Sequence, residues 1–142
     1  MKVLIVALML FSLNAQAEKM KDFTLPIHQK SEKFHLQEEV KKKKVLLNFW
    51  ATWCTSCIHE LPKLEALKEK YSDSVTFVSV NAGEKDNLIE RFQRKYKFSY
   101  TMLKDEDRSF SKSLGVDSLP VTIVVDKDMN IIYRDVVPPT SL

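Results

Sequence analysis

Between Val45 and Tyr71 the hydrophobic rhythm of the chain changes once, and two cysteines stand at the change. Val45-Leu-Leu-Asn-Phe-Trp-Ala-Thr-Trp-Cys54 opens with a run of branched and aromatic apolar residues, and Cys54-Thr-Ser-Cys57 closes it. Beyond Cys57, the residues Ile58, Leu61, Leu64, Leu67 and Tyr71 recur at helical spacing. Strand, tight turn and helix therefore follow one another, with a Cys-x-x-Cys pair at the first turn of the helix. The unpaired N–H groups and positive dipole end of a helix N-terminus stabilise an anion. A thiolate at Cys54 is favoured there, which makes this residue a nucleophile near neutral pH.

Further residues extend the pattern: Glu60 and Pro62 after the second cysteine, and Leu119-Pro120-Val121-Thr122 much later. Cys-x-x-Cys alone is a weak signal. With Asn48-Phe49-Trp50-Ala51-Thr52-Trp53 before it and the Glu-x-Pro and Leu-Pro-x-Thr elements after it, the chain resembles the thioredoxin superfamily. Within it, the residues look most like the periplasmic TlpA/ResA branch of thiol–disulfide oxidoreductases. The resemblance covers roughly residues 20–135 and implies a thioredoxin-like α/β fold, a central mixed sheet flanked by helices.

At 142 residues the chain is long enough for one domain with a single core. Lys2, the apolar stretch Val3 to Leu13 and Ala15-Gln16-Ala17 have the pattern of a secretory signal peptide cut after Ala17, leaving a domain over residues 18–142. The apolar stretch falls short of the ~20 residues that cross a bilayer. Export bears on the cysteines. Cys54 and Cys57 are the only two, and they close too short a loop to stabilise a fold much. In an oxidising compartment such a pair is a working redox couple rather than a staple. A zinc site would need two more ligands, and only His59 is near, so no metal or other cofactor is expected. The net charge of +3, less Lys2 of the leader, is too mild to imply nucleic acid. Lys41 to Lys44 is the one dense charge run, a solvated turn before an apolar strand.

Along the chain, residues 22–26 and 33–36 read as an N-terminal hairpin, and residues 37–44 as a connection to the strand Val45 to Ala51. A helix follows from Thr55 to Tyr71 with Pro62 inside, where a kink is expected. Val75 to Ala82 is the next strand, ended by Gly83, and strand–helix–strand at this length makes the two strands parallel. Asp86 is placed to cap a helix with Leu88, Ile89, Phe92 and Tyr96 on one face. A strand over Tyr100 to Leu103 and a helix over Asp107 to Leu114 follow, and with the preceding helix resemble the segment inserted in the TlpA/ResA branch. Val121 to Val125 and Asn130 to Arg134 form a hairpin through Asp126-Lys127-Asp128. In the family a final helix covers one sheet face. Residues 136–142 leave no room for it, so the chain is either a shortened version or a fragment, and an apolar face left uncovered is expected to be a liability or a docking surface.

Cys54 is expected to be the exposed attacking thiol, and Cys57 the shielded resolving one. Glu60 lies about one helical turn past Cys57, where a carboxylate can serve as a proton acceptor; an acidic residue favoured by the helix dipole is the alternative. Asn48 stands where thioredoxins proper carry a buried Asp, so that proton route is closed to this chain and more falls to Glu60. Pro120 matches the superfamily's cis-proline, which would leave the Leu119 backbone free to pair with a substrate strand. Trp53 is expected at the wall of the site and Trp50 in the core. His59 is expected to face solvent, with His28 and His35 in the hairpin.

The resemblance implies an exported, soluble, monomeric reductant of periplasmic protein disulfides. Its clients would be oxidised proteins such as an apocytochrome c Cys-x-x-Cys-His site, and a membrane thiol donor would re-reduce it. A disulfide-introducing oxidase and a non-catalytic thiol chaperone or copper-delivery module are the alternatives. Reduction potential separates the first, and retention of function after Cys57→Ser the second.

Overall fold

Six of the seven residues of Lys44–Trp50 are buried, and the sheet grows outward from that strand. The computed structural model describes residues 16–142, so the leader expected over residues 1–17 lies, but for its last two residues, outside the described part. In chain order, β1 (Thr24–Pro26) and β2 (Lys33–His35) form the expected antiparallel hairpin, and α1 (Leu36–Val40), β3 (Lys44–Trp50) and α2 (Thr55–Tyr71) follow. Next come β4 (Val75–Asn81), α3 (Asp86–Tyr96), β5 (Thr101–Lys104), α4 (Ser109–Ser113), β6 (Val121–Val125) and β7 (Ile131–Asp135). The sheet order is β5-β4-β3-β6-β7. Parallel pairing joins β3, β4 and β5, while β6 runs antiparallel to both β3 and β7. This is the mixed sheet of a thioredoxin-like fold.

Alternation along β3 feeds two cores, because successive side chains leave opposite faces of a strand. Leu46 and Trp50 join Leu61, Leu64, Leu67, Ile89 and Phe92 from α2 and α3 on one face. Val45, Leu47 and Phe49 meet Phe34, Leu36, Val40 and Val116 on the other. Each such fully buried side chain contributes about 1.5–3 kcal/mol of transfer free energy. Both faces are covered, which is why the strand carries no polar alternation. Residues 18–20 pair along the turn into β7, through Met20 N to Met129 O and Ile131 N to Glu18 O, both 2.8 Å. Among the described residues no helix is long and apolar enough to cross a membrane.

Outside the cysteine site, the fold departs from expectation in three places. Residues 36–40 are helical rather than a plain connection, because Leu36 and Val40 stand one turn apart and both enter the core. The lysine run that follows is solvated: Lys41 and Lys42 each pair at 2.8 Å with Glu38 and Glu39 one turn back. Asp86 does not cap α3. Lys85 holds the N-cap position without a side-chain bond. The Asp86 carboxylate is drawn instead to Lys104 at 2.8 Å and to buried His28 at 3.4 Å. Residues 136–142 form no helix, yet they lie back on the body of the fold. Lys63 Nζ donates to Pro138 O at 2.8 Å, Tyr133 Oη donates to Val137 O at 2.7 Å, and Leu142 packs against the α2 face. The expected open face is thus partly covered by extended chain.

Candidate active site

The strand-to-helix junction is tight. β3 ends at Trp50, and Cys54 N donates to Ala51 O at 3.2 Å, so residues 51–54 make one turn. Cys54 is then the N-cap of α2, and its sulfur accepts the Cys57 N–H at 3.1 Å. A disulfide joins Cys54 and Cys57, with Cα atoms 5.2 Å apart. One expectation is corrected here. Cys54 is only 5 % exposed against 2 % for Cys57, because both belong to the apolar cluster of Trp50, Ala51 and Leu61. Exposure therefore does not separate the two sulfurs in the disulfide. What singles out Cys54 is the N–H aimed at its sulfur. Trp53, 69 % exposed, stands at the rim, and Trp50 is buried against Phe92 with ring centroids 4.4 Å apart.

Glu60 sits one turn further along α2, half-buried. Asn48, buried in β3, donates from Nδ2 to Glu60 Oε1 at 2.8 Å and to Thr122 Oγ1 on β6 at 3.3 Å. Burial pushes the Glu60 carboxyl up to about 7, and the Asn48 hydrogen bond and the Lys63 charge pull back against it. A carboxyl held near neutrality is suited to taking and returning a proton at working pH. Asn48, notable in the sequence for the proton it lacks, thus fixes the orientation of Glu60.

The Leu119–Pro120 peptide bond is cis, as the resemblance implied. Leu119 is half-buried and Pro120 buried. Both line a groove of about 560 Å³ that Glu60, Lys63 and the tail residues Val137 and Pro138 complete. Glu60, Leu119 and Pro120 therefore come together. Trp53 does not line that groove, whereas His59, exposed to solvent, stands on its wall beside Glu60. One more contact holds the cysteine loop, between Thr52 within it and Glu84. Glu84, in the turn after β4, accepts the Thr52 N–H at 2.7 Å and the Thr52 hydroxyl at 2.5 Å. Sequence reasoning passed over both. Their one signal is position, since loops at the carboxyl ends of neighbouring parallel strands converge. Among the described residues no three His, Cys, Asp or Glu side chains are grouped to hold a metal ion.

The Redoxin family model matches residues 15–141, so the chain belongs to the Redoxin family, where it stands with thioredoxin-superfamily proteins of the TlpA/ResA kind. It is 37% identical over 99 residues to the thioredoxin-like protein YneN of Bacillus subtilis, covering 68% of this chain and 57% of that one. It is 33% identical over 98 residues to the thiol-disulfide oxidoreductase ResA of Bacillus thuringiensis, with the same two shares. The matched part thus spans 57% of the length of these relatives. A thiol-disulfide oxidoreductase from Bacteroides fragilis shares the fold at a TM-score of 0.76, with 22% identity, over 85% of this chain and 92% of that one.

Proposed function

We propose that this chain is an exported thiol–disulfide oxidoreductase that reduces disulfides of periplasmic proteins. The observation that carries the reading is a Cys54–Cys57 pair capping α2 within about a turn of a half-buried carboxyl held near neutrality. In the dithiol form the Cys54 thiolate attacks one sulfur of a client disulfide, and the client's other sulfur leaves as a thiolate. Glu60 takes the proton of Cys57, whose thiolate then attacks Cys54 Sγ. The second client sulfur leaves and is protonated, two electrons have passed to the client, and the disulfide described here remains. A membrane thiol donor restores the dithiol.

The groove beside Leu119 and Pro120 suits an extended client segment, with the Leu119 backbone available for strand-like pairing. An apocytochrome c Cys-x-x-Cys-His site is the client class we favour, as the resemblance to the TlpA/ResA branch implies. The leader pattern of residues 1–17 supports export to the periplasm.

Equilibrating the chain with a dithiol buffer, then offering it a Cys-x-x-Cys-His peptide disulfide, tests the reading. A reductant should have a potential more negative than about −220 mV and reduce the peptide. A potential near the −120 mV of a strong oxidant, about 100 mV higher, would make it a disulfide donor instead.

A further inference from the structure

We propose that Glu84 is a positioning residue for Cys54, clamping the loop that carries it so that the sulfur stays at the α2 N-terminus. The proposal rests on the oxidoreductase reading and adds a residue to it. Glu84 Oε2 accepts the Thr52 N–H at 2.7 Å and Asn81 Nδ2 at 2.8 Å, while Oε1 accepts the Thr52 hydroxyl at 2.5 Å. Glu84 N donates to Asn81 Oδ1 at 2.9 Å, so buried Asn81 grips the residue at both ends. Three donors on a half-buried carboxylate make charge-assisted bonds, stronger than neutral ones.

The turn that delivers Glu84 is itself specific. Gly83 has φ +79°, and a Cβ there would lie 2.4 Å from the Glu106 carbonyl oxygen, so only glycine fits without a shift. On the other side, Thr52 is two residues before Cys54, inside the turn closed by Cys54 N to Ala51 O. Fixing Thr52 at backbone and side chain leaves that turn little freedom, and with it the alignment of Cys54 Sγ on the Cys57 N–H. The charge of Glu84 would act in the opposite sense, since a carboxylate disfavours a nearby thiolate. Geometry and charge therefore predict opposite signs.

The test follows alkylation of Cys54 by iodoacetamide against pH, in the full chain with Cys57→Ser, at folded fractions matched by circular dichroism. Glu84→Ala should slow alkylation at pH 7 about three- to tenfold, as thiolate stabilisation at the helix end is lost. Glu84→Gln should stay within about twofold, because its amide oxygen still accepts Thr52 N–H and its NH2 donates to the Thr52 hydroxyl. Thr52→Val, nearly isosteric, should slow the reaction about twofold. Equal rates in all variants would reduce the clamp to a stability element, and faster rates in both Glu84 variants would assign a charge effect; either overturns the proposal. If Glu84→Ala does not fold, an unchanged rate in Thr52→Val overturns it alone. A wild-type chain that reduces no disulfide would sink the functional reading and leave these rates to decide the clamp.

Discussion

Two glutamates lie near the cysteine pair, Glu60 on its helix and Glu84 bonded to its loop, and the fold surrounds them in opposite ways. Glu84 is met by three donors, two from Thr52 and one from Asn81. Glu60 accepts one hydrogen bond among the described residues, from Asn48, and faces a groove walled by Leu119, Pro120 and Val137. A carboxylate supplied with donors becomes a joint between loops. One deprived of water and given a single donor is pushed toward neutrality and can exchange its proton. The same side chain is thus set in two different environments, and the number of donors around it makes the difference.

The largest expected effect comes from the cysteines themselves. Cys57→Ser should cut multiple turnover by more than about 10²-fold and let a client adduct accumulate on Cys54, visible by mass under non-reducing conditions. Cys54→Ser should form no such adduct. An adduct on Cys57 in that variant would reverse the order of attack.

Asn48→Asp next breaks the contrast at Glu60. Two carboxyls at hydrogen-bond distance cannot both ionise easily, so the pair should titrate in two steps, the later one at least about one pH unit above the wild-type Glu60 midpoint. Carboxyl NMR of the folded variant reads this directly, and an unchanged midpoint would remove Asn48 from the account. Lys63→Met acts more gently. Losing the nearby cation should raise the Glu60 midpoint by about half a unit, seen in the same titration.

The smallest effect is on stability. The folded state holds the Glu60 proton up to about 7, whereas the reference carboxyl releases it near 4.5. Between those values the folded chain binds more protons than the unfolded one, so wild-type stability declines as pH rises through the window and levels off above it. Glu60→Gln should remove that component, making the variant relatively more stable at pH 8 than at pH 4.5. Solvent reaching the half-exposed carboxyl keeps the gain to about 1 kcal/mol or less. Denaturant unfolding at the two pH values checks the sign.

The geometry of the junction was legible because it is local: one change of hydrophobic period places Cys54 and Cys57, and α2 spans Thr55–Tyr71 as the spacing indicates. Strand ends fall within a residue of expectation, apart from the start of β1, which comes two residues later at Thr24. What the sequence hid was tertiary. The helix at Leu36–Val40 is too short for a periodic signal and abuts a charge run. Asp86 has a capping side chain, but Lys104 and His28 compete for it from elsewhere in the chain. Asn48 and Glu60 could each be singled out, yet their bond depends on α2 crossing over β3. Thr52 and Glu84 are 32 residues apart and meet only because β3 and β4 are neighbours ending at the same edge.

Decay of the transient client adduct on Cys54, followed by stopped flow between pH 5 and 9 in wild type and Glu60→Gln, tests the proposed proton transfer most directly. If Glu60 is the proton acceptor for Cys57, the wild-type rate should rise through an inflection near the Glu60 midpoint of about 7. The Gln variant should lose that inflection and run about 10²-fold slower on the plateau, the low end of what a positioned base contributes. An inflection that persists unchanged in Glu60→Gln, at an undiminished rate, would contradict the account and leave Glu60 a groove residue without a proton to move.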